Sequence, residues 1–271
     1  MWDVVGHDSV IHLLSQAVNT SRLAHSYLIT GPAHVGKTKL AIQLAAAVNC
    51  VEPDPPCNKC HQCIRVQSNQ HSDINLLSVN EEIGHKSIGI EEVLEAVRRC
   101  YLKPFEGQSR VIIVDNANQL SLEAANALLK VLEEPPSQLL LILIAPNPEA
   151  IISTVLSRCQ RLNLRIVPKN QIADALRMKW DTPPKEAEEL ARRSNGLPGL
   201  AIEARINPAI LQNQKKRVEE LISIISGTLE DRLESADNLS KSFGQNRSSV
   251  QETLELWVLF WHEILMRKYG L

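Results

Sequence analysis

Aromatic residues are scarce in this 271-residue chain, which has four Trp, three Tyr and three Phe. Where they gather, at Trp257, Phe260 and Trp261, no Lys or Arg is interleaved, which argues for packing in a core or subunit contact rather than a platform on which bases stack. Excess charge is lacking too. A net charge of −2 gives no global attraction to nucleic acid, so any DNA contact would rest on local basic patches. No stretch of about 18 apolar residues is present, which excludes a hydrophobic membrane-spanning helix, and Met1 to Gly6 shows neither a basic leader nor a signal-peptide core. The expectation is a cytoplasmic protein without a membrane partner. Internal repeats and low-complexity tracts are also missing.

What is present begins with a phosphate loop. Gly31-Pro32-Ala33-His34-Val35-Gly36-Lys37-Thr38 fits GxxxxGKT. His25 to Thr30 before it reads as a short buried strand, and Lys39 to Asn49 after it carries Leu40, Ala41, Leu44, Ala45 and Val48 at helical spacing. This is the strand, loop and helix setting in which Gly31 and Gly36 let backbone N–H groups approach a phosphate and the helix start adds its dipole. Lys37 would reach the outer phosphates and the Thr38 hydroxyl would complete a magnesium shell.

Four of the six cysteines crowd between Cys50 and Cys63, as Cys50-x6-Cys57-x2-Cys60-x2-Cys63, in a loop opened by Pro53, Pro55 and Pro56. Thiols this close in a chain with no secretory signal point to a metal rather than to disulfides. Four soft ligands suit tetrahedral zinc and leave no open position, so the site is expected to be structural. Free thiols without metal, or His61 in place of one cysteine, are the alternatives. Cys100 and Cys159 stand apart as ordinary buried or half-buried thiols.

Further along, Ile74 to Val79 reads as a strand and Ser87 to Tyr101 as a helix with Ile90, Val93, Leu94 and Val97 on one face. Arg110 to Asp115 is an apolar run ending in an acid, the form of a central parallel strand. Ser121 should cap a helix running to Glu134, with Pro135-Pro136 ending it. Leu139 to Ile144 and Gln160 to Leu164 complete the strands, and strand–helix alternation implies an α/β doubly wound parallel sheet. From about residue 166 strands cease. Helices are expected after Pro168, Pro183-Pro184 and Gly196-Leu197-Pro198-Gly199, as a small unit over 166–206. Amphipathic helix then fills 207–271, with Trp257, Phe260, Trp261 and Leu265 packed near its end.

Together the phosphate loop, the inserted cysteine module, Asp115 on its strand, the run from Ala124 through Leu128-Leu129-Lys130-Val131-Leu132-Glu133-Glu134 to Pro135-Pro136, and Ser157-Arg158-Cys159 resemble a bacterial clamp-loader subunit of the AAA+ class. The resemblance implies an AAA+ nucleotide-binding domain over 1–165 with the zinc module at 50–63. A helical lid would span 166–206 and a helical oligomerisation collar 207–271. In that family five subunits join through their collars, bind ATP at subunit boundaries and open a ring-shaped sliding clamp at primer-template DNA. Partners implied are a gamma/tau-like motor and a delta-like subunit.

Within the family, three departures favour the delta-prime type over the hydrolysing gamma/tau motor. Asn116 follows Asp115 where the motor type carries glutamate, and an amide cannot take a proton from water, a loss typically of roughly 10² to 10⁴ in rate. Ala145-Pro146-Asn147 stands where a polar sensor orients the attacking water. Gly199 occupies the lid position from which the motor projects an arginine. Lys37, Thr38 and Asp115 still form a phosphate and magnesium grip, so the resemblance leaves room for ATP held without turnover, or for an empty site. It casts Arg158 as a finger reaching the ATP of an adjacent motor subunit; a surface arginine paired with a carboxylate is the plain alternative. A gamma/tau-like motor that hydrolyses ATP itself remains the competing reading.

Overall fold

The computed structural model describes residues 2–79, 87–245 and 247–269. The chain divides into two compact units, Met1–Ala201 and Ile202–Leu271.

The first unit is built on a five-stranded sheet. Strands β1 (Ser26–Thr30), β2 (Ile74–Leu77), β3 (Arg110–Val114), β4 (Leu139–Ala145) and β5 (Gln160–Asn163) lie in the order β2-β3-β4-β1-β5, and every pairing is parallel. Each residue of β1, β3 and β4 is buried, as expected of strands covered on both faces. β5 is an edge strand, and its burial shows it: only Leu162 of the four is buried.

Helices α1 (Asp8–Asn19), α2 (Lys37–Asn49), α3 (His61–Gln67), α4 (Ile90–Cys100), α5 (Leu122–Glu133) and α6 (Ser153–Leu156) connect and cover these strands. Val93, Ala96 and Val97 of α4 join Ala124, Leu128 and Val131 of α5 against Leu28, Ile112, Leu141 and Leu143 of the sheet in one buried cluster. Ser121 caps α5, its hydroxyl accepting from the Ala124 N–H at 3.1 Å, an interaction worth about 1 kcal/mol at a helix start. Helices α7 (Lys169–Trp180) and α8 (Pro184–Arg193) pack together in this unit, and α9 (Pro198–Ile206) follows.

The second unit holds α10 (Ala209–Ser226), α11 (Leu229–Gln245) and α12 (Arg247–Lys268), which all touch one another. Thr228 and Asp231 begin α11 with a reciprocal cap: the Asp231 carboxylate accepts from the Thr228 N–H at 2.7 Å and the Thr228 hydroxyl from the Asp231 N–H at 3.3 Å. The Trp257 indole N–H donates to the Arg217 carbonyl at 3.1 Å, joining α12 to α10.

Several boundaries depart from the sequence reading. The helix expected from Ser87 begins at Ile90, because Ile88 is extended, buried and paired in parallel with Leu120. The second strand stops at Leu77 rather than Val79. The cysteine segment is not all loop, since Cys60 caps α3 and Cys63 lies in it. Trp261 and Leu265, expected to be packed in a core or subunit contact, are 49% and 52% exposed in the single chain. The last two residues of the C-terminal helical stretch lie outside the described part.

Candidate functional site

The phosphate loop sits between the C-terminal end of β1 and the start of α2, with Gly36 as the residue capping α2. An atom placed on Gly36 as a Cβ would meet nothing within 4 Å, so a ligand can approach its backbone. The Lys37 ammonium donates to the Gly31 and Pro32 carbonyls, each at 2.8 Å. The Thr38 hydroxyl donates to Asp115 Oδ2 at 3.1 Å. Residues far apart in sequence, in the first turn of α2 and just after β3, thus meet as one oxygen-rich pair, of the kind that a hard cation such as magnesium prefers. Lys37 is within the same loop, as phosphate binding requires.

Asn116 follows directly, in left-handed backbone (φ 55°, ψ 54°), at the start of a short 3-10 turn. The Asn147 carboxamide is occupied in capping, accepting from the Ala150 N–H at 2.9 Å. Gly199 lies against the phosphate loop itself: its N–H donates to the His34 carbonyl at 2.8 Å, and a Cβ there would stand 2.8 Å from the same oxygen. A larger residue at 199 therefore requires the helix start to move off the loop. Two loop contacts were not legible in the sequence. His7 Nε2 donates to the Val35 carbonyl at 3.0 Å, with burial outweighing nearby groups to hold its pKa below the ordinary value. The Thr30 hydroxyl meets Asn163 Oδ1 at 3.4 Å.

Arg158 is not brought to this site. It precedes β5, and its carbonyl accepts from Ser26 at the start of β1, at 2.8 Å. The phosphate loop leaves the other end of β1, which at about 3.3 Å per residue is roughly 16 Å away. The guanidinium pairs with Glu133 at 2.8 Å and donates to the Thr154 carbonyl at 2.8 Å, with the side chains of Arg158 and Glu133 36% and 51% exposed. The carboxylate that partners Arg158 is thus one of the two at the end of α5.

The four cysteines come together as expected. Their sulfurs all lie within 4.8 Å of one another, and Cys57 Sγ to Cys63 Sγ is 3.9 Å. A tetrahedron of zinc–sulfur bonds near 2.3 Å has edges of about 3.8 Å, so the residues present fit that metal. The Cys60 N–H donates to Cys57 Sγ at 3.2 Å and the Cys63 N–H to Cys60 Sγ at 3.5 Å, which offsets thiolate charge. Burial opposes ionisation of Cys57, but N–H donors from Lys59 and Cys60 and the adjoining thiols outweigh it and lower its pKa to about 6. Burial pushes the thiols of Cys50 and Cys63 up instead. His61 is exposed at the start of α3 and lies outside the cluster found among the described residues.

Beside this module lies a polar node that the sequence reading missed. Asp73, fully buried, accepts from the backbone N–H groups of Phe105, Glu106 and Gly107 at 2.8 Å each and pairs with Arg110 at 3.3 Å. Burial alone would raise its pKa, yet the three N–H donors and the Arg110 charge outweigh it and hold the carboxyl below its ordinary value. Neither periodicity nor a motif marks such a node, because its members are non-adjacent polar residues.

Comparison with known proteins agrees with the fold. The family described as DNA polymerase III, delta subunit, matches residues 6–168. Among curated relatives, DNA polymerase III subunit delta' of Bacillus subtilis is 31% identical over 211 residues, covering 78% of this chain and 62% of its own length. DNA polymerase III subunit tau/gamma of Haemophilus influenzae is 29% identical over 259 residues, covering 93% of this chain and 37% of its own. The chain therefore spans between about a third and three fifths of the length of these relatives. Among solved structures, a mutant of RuvB from Thermotoga maritima matches with a TM-score of 0.50 at 16% identity, covering 88% of this chain and 72% of that one, a likeness of fold alone. No helix among the described residues is long and apolar enough to cross a membrane.

Proposed function

Because the chain belongs to the DNA polymerase III delta-subunit family of bacterial clamp-loader subunits, we propose that it acts as a delta-prime-like subunit, lending Arg158 to the ATP of a neighbouring gamma/tau-like motor. The observation that carries this reading is the placement of Arg158. It lies partly exposed at the opposite end of β1 from its own phosphate loop, away from any nucleotide held by Lys37, and its partner Glu133 is an exposed carboxylate that a neighbouring subunit's phosphate would have to replace. A guanidinium of this kind meets charge that grows on the transferring phosphoryl group.

In this reading Lys37, Thr38 and Asp115 hold ATP and magnesium, while Asn116 supplies no proton acceptor for hydrolysis. The four thiolates hold structural zinc, whose chemistry is to cross-link α2 and α3. Residues 166–206 serve as lid and 207–271 as collar, through which the chain joins motor and delta-like subunits, and the assembly meets the sliding clamp and primer-template DNA. The setting is the cytoplasm.

The test is reconstitution with motor and delta-like subunits. Arg158→Ala should lower ATP turnover at the single site that Arg158 faces by roughly 10³ to 10⁵, seen as loss of that site's share of the assembly's turnover, while the chain's own stability changes by less than about 1 kcal/mol, because the Glu133 pair is exposed. Equal turnover in wild type and variant would end the donor reading. A second reading, a gamma/tau-like motor, is favoured by the tau/gamma relative that aligns along 93% of the chain; it requires ATP turnover by the purified chain alone.

A further inference from the structure

We propose that the cysteine module is a brace: metal held by Cys50, Cys57, Cys60 and Cys63 fixes, through Gln62 and Arg65 of α3 beside Asn49, the conformation of the loop that carries Phe105. This rests on the metal reading above and goes beyond it, by giving the metal a structural target outside its own ligands.

The argument begins with two neighbours in sequence. Asn49 directly precedes Cys50, and Gln62 directly precedes Cys63. Both are polar and buried, at 0% and 4% exposure, and a buried amide is costly unless its groups are matched. Asn49 Oδ1 accepts from the backbone N–H groups of Gln108 and Ser109 at 2.8 and 2.9 Å. Gln62 Nε2 donates to the Glu106 carbonyl at 2.5 Å, and its Oε1 faces His71 Nε2 at 2.5 Å. His71 Nδ1 accepts from the Asp73 N–H at 3.1 Å, so the ring proton is on Nε2 and points to Gln62. Arg65, two residues after Cys63, pairs with the Glu106 carboxylate at 3.3 Å.

The loop is therefore gripped along its backbone. The N–H groups of Phe105, Glu106 and Gly107 go to Asp73, and those of Gln108 and Ser109 to Asn49. Gly107 seals the contact, since a Cβ there would lie 2.3 Å from Asn49 Oδ1 and 3.1 Å from the His71 ring. The opposite side of the segment is apolar and exposed: Phe105 83%, Leu102 62%, Tyr101 51%. Hydrogen bonds, rather than burial of its own side chains, keep this loop in shape.

Metal enters because α3, at seven residues, is too short to persist without tertiary support. Cys63 and Val66 are buried where α3 packs on α2, and the thiolates add the cross-link that pins this packing: Cys50 sits at the end of α2 and Cys63 within α3. Without the cross-link, α3 carries Gln62 and Arg65 away from Glu106 and His71.

The experiment uses the full chain, with zinc measured by elemental analysis and loop order read by amide hydrogen exchange and by chymotrypsin cleavage after Phe105. Removal of metal by a chelator is expected to speed exchange of Phe105 to Ser109 at least tenfold and to open cleavage after Phe105, while amides of β4 stay protected. Gln62→Met, which keeps all four thiolates, should bind zinc one to one and still show the faster loop exchange. Should chelation also open β4, the Gln62→Met chain decides. Loop exchange within twofold of wild type in zinc-loaded Gln62→Met, or in a chelated chain whose α3 has lost protection, overturns the brace and leaves the metal reading standing. A metal content near zero in chain purified without chelator overturns both.

Discussion

The two ends of α2 are built to opposite purposes. At its start, Gly36 opens onto space that a ligand can enter, and Lys37, Thr38 and Asp115 are bonded to the loop and to one another where we propose that a phosphate and cation are held. At its end, Asn49 is sealed against Gly107, and the adjoining Asp73 is saturated with N–H donors and Arg110. The lesson is that polarity alone does not mark a ligand site. A polar cluster that faces open space, as at Gly36, can be reached by a ligand, whereas one closed off by its own fold, as at Gly107, cannot.

This contrast sets the size of the expected effects. Asp73→Ala should be the most damaging, at about 3 to 5 kcal/mol, because it leaves Arg110 and three N–H groups without their buried partner; equilibrium urea unfolding reads it. A loss below about 1 kcal/mol would mean the node is not structural.

Lys37→Ala should instead cost little in nucleotide-free protein. What it should abolish is stabilisation by ATP and magnesium, about 2.7 kcal/mol at a hundredfold excess over the dissociation constant, followed as a rise in Tm. An unchanged rise in the variant would remove Lys37 from the phosphate grip.

The smallest effect is in the acid limb of the stability curve. Since the Asp73 pKa is lower in the folded chain than in the unfolded one, its contribution is complete above the ordinary carboxylate range, near pH 4, and is lost as pH falls through the folded value. Asp73→Asn, lacking that carboxylate, should therefore show a shallower loss of stability on acidification. Parallel acid limbs for the two proteins would count against a depressed Asp73.

Much of the binding end was legible in advance. GxxxxGKT announces its own backbone, because glycine spacing and a following helix are local requirements, and Asp115 closes an apolar run that only a covered parallel strand tolerates. The cysteine spacing was legible for the same local reason. The α3 turn within it and the late start of α4 were not: Ile88 is extended because Leu120, far along the chain, pairs with it. Trp261 and Leu265 read as packed in a core or a subunit contact, and in the single chain their place on α12 leaves them half exposed. Helix α1 carries no motif, and the sequence reading passed over it.

By itself, then, the sequence determined the strands, the phosphate loop and the thiolate set, since each depends on residues within a few positions of one another. Tertiary structure alone decided that Thr38 meets Asp115, that Arg158 lies at the far end of β1 from the phosphate loop, that Gly199 rests on His34, and that Asn49, Gln62 and Asp73 share one loop. Those contacts join groups separated by the sheet order and by long crossovers, and a hydrogen bond is selected by where backbones converge, which no local spacing encodes.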